Sequence, residues 1–428
     1  MTLYKRLLIT ALATFALAFV YAENGINSPY SRFGLGTLSD QALGVNRQMG
    51  GLGYALRDKS YINLLNPAAV SSADSTTMIF EGGFSLQHGN FKENGVKINA
   101  QNASFDYLVM GFRLKRNLGM AFGILPYSNV GYSFSNNEVF NSPDGDSDGA
   151  FSGIYKYNGD GGLTQPFVTI GWGITDNLSV GVMASYLYGE INHNISTEFT
   201  DNNISNIYKQ YRLDVSNYKA DFGLQYHKQF SEKKQLTLGA VYSLGHDLNA
   251  DAELITRKTT SGTAEYSDTA SFANSFKLPH TFGVGFTYTV DKWTFGADYT
   301  FQKWSDSSFF GDNKGTDRSK ISLGLEYNPN QISRNVLKRT RYRAGLYYAE
   351  PYTEFNGKQG CEEYGVSAGF SLPMTSTNNM NNNRSILNVS GQFVRMNPKT
   401  DGMITENYIR LNVGVTFNEF WFFKSKVN

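Results

Sequence analysis

The sequence predicts an all-β protein, a 14-stranded antiparallel transmembrane β-barrel with an N-terminal hatch segment inside its lumen. Three features predict this class: an N-terminal export signal, segments of about ten residues with alternating hydrophobicity, and connections of alternating length. The composition agrees, because 43 residues are Gly, 14% are aromatic, and the mean hydropathy is −0.35. In a membrane barrel lipid-facing and lumen-facing side chains alternate, so their hydropathies average out.

Residues 1–22 have the parts of a cleaved secretory signal peptide. Lys5 and Arg6 precede an apolar run over residues 7–20, and Ala22 ends a stretch suited to cleavage. This run is shorter than the roughly 20 apolar residues of a membrane-spanning helix. The alternative is a signal anchor that is not cleaved. We expect export and residence in the cell outer membrane.

The alternation is clearest in residues 178–189, 293–302 and 408–417, where apolar side chains occupy every second position. A charge on the lipid side near the midplane would cost roughly 2–4 kcal/mol, and these apolar faces carry none. Fourteen such segments are predicted near residues 76–91, 101–115, 117–135, 162–174, 178–197, 208–230, 235–254, 275–290, 292–306, 316–328, 338–350, 361–372, 384–397 and 405–420.

The connections alternate in length along the chain. Those after strands 2, 4, 6 and 8 are tight, and those after strands 10 and 12 are longer, around residues 328–337 and 373–383. The opposite set contains the two longest predicted loops, residues 136–161 and 255–274. Short turns on one side are typical of outer-membrane barrels, in which that side is periplasmic. The alternative, a soluble β-sandwich or a row of secreted β modules, would leave the continuous aromatic face uncovered.

Residues 23–75 contain little strand pattern and several glycines. Because eight strands already enclose a space that side chains can fill, fourteen leave a wider lumen. We therefore expect a signal peptide at 1–22, a hatch or plug at 23–75 and the barrel at 76–428. The alternative for residues 23–75 is a periplasmic tail.

Two stretches carry a resemblance to a known family. Residues 47–55 are rich in Gly and lead to the tripeptide Asn66-Pro67-Ala68, and Leu278-Pro279 opens a strand pair that ends at Trp304-Ser305. These patterns resemble the long-chain fatty-acid transporter (FadL-like) family of outer-membrane barrels. The resemblance implies fourteen strands, Asn66, Pro67 and Ala68 as hatch residues, surrounding outer-membrane lipids and a hydrophobic small-molecule ligand. Because relatives include secretion shuttles and subunits of envelope machines, it also implies envelope protein partners.

Arg339, Arg341 and Arg343 occupy alternate positions of the predicted eleventh strand. Because lipid exposure of three guanidinium groups is prohibitive, they are expected to point into the lumen near Glu326. We favour a salt-bridge network between the wall and the hatch. The alternative is an anion site, because a guanidinium fork matches a carboxylate or phosphate; it predicts that Arg341→Ala lowers affinity for an anionic amphiphile.

Other functional classes find little support. The 38 basic and 37 acidic residues balance, so no nucleic-acid partner is expected. Residues 144–149 resemble the start of a calcium loop, but Tyr155 replaces the Glu that sets affinity. None of the five histidines lies in a Ser- or Asp-containing catalytic motif. We therefore expect neither an enzyme nor a bound metal or cofactor.

The leading functional hypothesis is passive uptake of hydrophobic or amphipathic small molecules. The alternative is a protein-interaction barrel that acts as a subunit or shuttle of an envelope secretion or assembly machine. The lumen distinguishes them: a continuous apolar tunnel favours transport, whereas a lumen filled by loops and ion pairs favours a scaffolding role in protein interaction.

Overall fold

The computed structural model describes most of the chain. The described residues are 26–75, 77–93, 95–140, 151–200, 204–260, 263–272, 276–309, 314–330, 333, 335–355, 357–374, 385–400, 403–420. The predicted signal peptide and the calcium-like stretch at 144–149 lie outside these ranges.

Fourteen antiparallel strands form the barrel wall. They are β1 (Thr77–Glu93), β2 (Val96–Lys115), β3 (Leu118–Phe140), β4 (Phe151–Gly173), β5 (Leu178–Phe199), β6 (Asn206–Ser231), β7 (Lys234–Ser243 continued by Ala250–Thr260), β8 (Thr263–Phe272 continued by His280–Val290), β9 (Trp293–Lys303), β10 (Arg318–Tyr327), β11 (Arg341–Ala349), β12 (Cys361–Pro373), β13 (Ile386–Pro398) and β14 (Thr405–Phe420).

Each strand pairs with the next, and the last pairs with the first. In the closing pair Thr77 lies opposite Phe420 and Lys92 opposite Thr405. Closure satisfies the backbone groups that an open edge would leave unpaired in lipid. The predicted class and strand number are confirmed.

Shorter elements lie inside or above the wall. They are the helices α1 (Gly44–Gln48) and α2 (Val336–Arg339), the 3-10 helices Pro29–Arg32 and Pro67–Ser72, and the short strands Thr37–Leu38, His246–Asp247, Lys277–Leu278, Lys314–Gly315, Thr353–Phe355 and Lys358–Gln359. Within the described ranges, no helix has the length and apolar character needed to cross a membrane.

The wall is much taller on one side of the barrel. β3 has 23 residues and β6 has 26, whereas β11 has 9. The predicted loops 136–161 and 255–274 were therefore largely wrong, because their described residues mostly continue as paired hairpin strands. Outside the bilayer both strand faces can be polar, so the alternation fades while backbone pairing continues.

The predicted alternation of faces is confirmed in the membrane part. Val182, Phe295 and Leu411 are 45 to 50% exposed on the outer surface. Asp298 and Asn412, which follow at the opposite parity, are buried inside. The outer face is thus apolar where lipid would cover it.

Candidate functional site

Residues 26–75, called here the N-terminal segment, are held against the inner surface of the wall. Leu43, Ile62 and Val70 belong to a buried apolar cluster with Tyr107 and Phe167 of the barrel. Within residues 26–75 only Thr37–Leu38 pairs with the wall as a strand, so most polar backbone groups of the segment depend on turns and on side chains.

A row of three glycines on adjacent strands receives one end of this segment. Gly171 lies opposite Gly181, which in turn lies opposite Gly223. A Cβ atom added at Gly181 would lie 2.3 Å from the carbonyl carbon of Pro67, and one at Gly171 would lie 2.7 Å from the Pro67 oxygen. Only glycine leaves room for this backbone contact.

Asn66 fixes the same stretch through hydrogen bonds. Its side-chain oxygen accepts from the backbone N–H of Ala68 at 3.0 Å. Its amide nitrogen donates to the carbonyl oxygens of Tyr54 at 2.8 Å and Leu224 at 3.0 Å. The expected hatch residues Asn66, Pro67 and Ala68 therefore lie together against the wall, and their role in a moving hatch stays a prediction.

A second glycine row receives the Gly-rich loop. Gly296 lies opposite Gly324, and Gly324 lies opposite Gly345. Met49 packs on this row, since a Cβ atom at Gly345 would lie 2.1 Å from its carbonyl carbon. Nearby, one carboxylate oxygen of Asp298 accepts the backbone N–H groups of Gly53 at 2.6 Å and Tyr54 at 2.9 Å.

A buried ion pair joins α1 to β2. Arg47 donates to Asp106 at 2.5 Å, and both side chains are at least nine-tenths buried. The other oxygen of Asp106 accepts from the hydroxyls of Ser85 at 3.0 Å and Ser104 at 3.2 Å. A buried pair with this many partners contributes more to the position of a segment than to its net stability.

The three predicted arginines do not form one ladder. β11 begins at Arg341, and Arg339 is buried at the end of α2, so the predicted strand start at residue 338 was wrong. The residues just before β11 contain no Pro and form a helical turn. The Asn335 side chain caps the start of this turn. Period 2 was therefore the wrong pattern for the first of the three.

Two of these arginines face carboxylates of the protein itself. Arg341 pairs with Asp58 of the N-terminal segment at 2.6 Å, and Arg343 pairs with Glu326 at 2.5 Å. Burial alone would raise the pKa of Asp58, but the Arg341 charge and the Ser60 hydrogen bonds lower it to about 2. The favoured salt-bridge interpretation thus agrees with the contacts, while a ligand role for the arginines stays a proposal.

Arg341→Ala separates the two interpretations of this pair. We expect faster hydrogen exchange around residues 57–61, by up to about fivefold, because a partly exposed ion pair contributes about 1 kcal/mol or less. Affinity for an anionic amphiphile should be unchanged, since Asp58 already occupies the guanidinium. A clear loss of amphiphile affinity with unchanged exchange would favour the anion site instead.

Several small cavities lie among the described residues of the lumen. One of about 170 Å³ is lined by Asp40, Arg318, Lys320, Glu363 and Arg410, among others. Cavities of about 60 and 90 Å³ share the Thr37–Leu38 strand with it. Another of about 190 Å³ lies at the short-turn end of the barrel.

Sequence reasoning did not single out several residues that matter here. Asp106 lies in a stretch that is apolar in both phases, which hides its inward direction. Arg47 was part of the resemblance but carried no expected partner, because its partner is 59 positions away. The sequence did contain a signal for Asp298, because it is an acidic residue among the small and neutral polar side chains on one face of a strongly alternating strand.

The sequence matches a protein-family model over nearly its full length. The BamG family model matches residues 3–428, nearly the whole chain. The chain belongs to the BamG family. Among curated proteins, none matches the sequence significantly.

Solved structures show which fold this BamG-family protein shares. The toluene transporter TodX of Pseudomonas putida is 16% identical with a TM-score of 0.58, covering 90% of this chain and 100% of its own. TbuX, the toluene transporter of Ralstonia pickettii, is 15% identical with a TM-score of 0.56, covering 89% and 99%. A FadL homologue of Pseudomonas aeruginosa is 12% identical with a TM-score of 0.58, covering 90% and 100%. The expected FadL-like fold of outer-membrane barrels is confirmed.

Proposed function

We propose that this protein is a closed outer-membrane barrel that acts as a protein-interaction subunit of a larger envelope assembly. The observation that carries the proposal is the lumen, whose described interior is occupied by the N-terminal segment and its ion pairs. The Arg47–Asp106 and Arg341–Asp58 pairs join this segment to two separate strands of the wall, β2 and β11.

The cavities support this proposal by their size and lining. Binding sites for small molecules usually enclose about 300–1,000 Å³ with mostly apolar walls. The two larger cavities enclose about 170 and 190 Å³. Charged and hydroxyl groups predominate in the lining of the second, and they share the lining of the first with apolar side chains such as Leu65 and Met396. A hydrocarbon entering them would leave these polar groups without hydrogen-bond partners.

The tall wall supplies surface outside the membrane. A strand needs about 9–11 residues to cross the bilayer, whereas β3 to β6 have 22 to 26. Because the short turns are expected to be periplasmic, the surplus extends to the extracellular side. Its surface includes polar side chains such as the exposed Lys156–Glu198 pair at 2.7 Å.

A second candidate is passive uptake of hydrophobic molecules, which is consistent with the fold. The specific observation in its favour is that the structural neighbours TodX and TbuX are described as toluene transporters. In this chain uptake would require the N-terminal segment to leave both glycine rows during passage. Catalysis forms no part of either candidate.

The two candidates are separated by isolating the protein from its own outer membrane. We expect native mass spectrometry in mild detergent, at the chromosomal expression level, to show a complex with other polypeptides. The intact mass should also lack residues 1–22, because the proposed signal peptide is cleaved after Ala22. A monomer that releases a small apolar ligand, and that admits toluene into liposomes, would support uptake and contradict the subunit proposal.

A further inference from the structure

The cavity of about 190 Å³ opens at the short-turn end of the barrel. Threonines of β7, β8 and β9 form one wall: Thr237, Thr287, Thr289 and Thr294. Arg57, Asp58, Glu326 and Arg341 also line it, together with Asp291 and Lys292 of a short turn. We call this space the periplasmic mouth.

Arg57 is the unusual group in the periplasmic mouth. One terminal nitrogen donates to the hydroxyl of Ser71 at 3.0 Å, the amide oxygen of Gln225 at 3.4 Å and the carbonyl oxygen of Ala68 at 3.5 Å. All three acceptors are neutral. Within the described ranges no carboxylate lies within 4 Å of this guanidinium, and its other nitrogens make no hydrogen bond.

Three other arginines at the contact between the segment and the wall each have an acidic partner. Arg47, Arg341 and Arg343 each contact a carboxylate at 2.5 or 2.6 Å. Burial lowers the pKa of Arg57 to about 10, with no compensating acid beside it. Half-burying a cation without a counter-charge is unfavourable, and an anion bound from outside would offset that cost.

The rim around the periplasmic mouth has an excess of positive charge. Among described residues of the short turns, the adjoining strand ends and the N-terminal segment, the exposed bases are Lys59, Lys115, Arg116, Lys228, Lys233, Lys234, Lys292 and Lys338. The exposed acids of the same rim are Asp176, Glu232 and Asp291, and Asp291 already pairs with Lys233 at 3.3 Å. The excess contrasts with the net charge of +1 for the whole chain.

We propose that the periplasmic mouth binds an acidic stretch of a partner polypeptide, with one carboxylate on Arg57 and others along the lysine rim. This inference rests on the proposed function and names the chemistry of the partner. A polypeptide fits better than a phospholipid, because the threonine wall belongs to the inner face of the barrel. A lipid headgroup, which packs on the outer face, would have to cross the short turns to reach Arg57.

The test measures binding of fluorescent hexaglutamate to the purified full-length protein, with hexaglutamine as the neutral control. We expect hexaglutamate alone to bind, with affinity that falls as salt increases. Arg57→Met should weaken it about tenfold or more, because a charge-assisted hydrogen bond is lost. Lys258→Met is the matched control, because Lys258 lies in the tall hairpin at the end of the barrel away from the short turns. This variant should leave binding unchanged.

A second variant keeps the test decisive if Arg57→Met fails to fold. Lys59→Glu with Lys292→Glu alters two exposed residues and should also weaken hexaglutamate binding at low salt. Equal binding by wild type and both variants would overturn the proposal. Displacement of the peptide by phosphatidylglycerol nanodiscs, but not by phosphatidylcholine nanodiscs, in an Arg57-dependent manner would overturn it in favour of a lipid site.

The same variants separate this inference from the proposed function. If the native complex forms with wild type and equally with Arg57→Met, the barrel is a subunit but its partner docks elsewhere. If wild type forms no complex, the proposed function fails whatever the peptide does.

Discussion

Arg47→Ala is expected to release the N-terminal segment from the barrel wall more than any other single charge change. The substitution leaves Asp106 buried with only two serine hydroxyls as partners. Removing one member of a buried ion pair costs about 3–5 kcal/mol, because the other charge stays uncompensated. Hydrogen exchange of residues 43–56 should therefore accelerate by about two to four orders of magnitude.

The control for this prediction is Lys156→Ala. It breaks a pair of similar length, at 2.7 Å, in which both side chains are 45% exposed. An exposed pair contributes about 1 kcal/mol or less, so exchange should change little. The double variant Arg47→Met with Asp106→Asn removes both charges and should restore much of the protection. Equal protection in Arg47→Ala and wild type would show that the glycine rows alone hold the segment.

Gly181→Val is expected to open the closed lumen. The new Cβ atom would lie 2.3 Å from the carbonyl carbon of Pro67 and 2.4 Å from the backbone nitrogen of Ala68. Because these are backbone atoms, the 3-10 helix Pro67–Ser72 must move away from the wall. Overpacking of this kind costs about 1–3 kcal/mol or more. In planar bilayers we expect steady ion conductance from the variant and almost none from wild type.

Gly391→Val is the matched control in the same barrel. Gly391 is exposed on β13, and an added Cβ atom meets nothing within 4 Å. An apolar side chain on the lipid face is tolerated, so this variant should remain as closed as wild type. Wild type that conducts as well as Gly181→Val would mean that the N-terminal segment does not close the barrel.

Much of the site could not be anticipated because it depends on long-range register. The glycines at 171, 181 and 223 are unremarkable one by one, since small residues alternate along many barrel strands. Only the pairing of three strands places them side by side beneath Pro67. Arg57 was likewise inconspicuous. Asp58 follows it in the chain, and only the folded lumen shows that this carboxylate pairs with Arg341 instead.

The sequence by itself determined the fold class, the strand number and the outward faces, because lipid imposes a period of two on every crossing strand. It could not determine the hairpin heights, since strands surrounded by water on both faces lose that period while their backbones still pair. Nor could it choose between a ladder of three arginines and a helical turn followed by two ion pairs. The two ion pairs depend on Asp58 of the N-terminal segment and Glu326 of β10 coming within about 4 Å of a guanidinium, and such distances between residues far apart in the chain are set by folding.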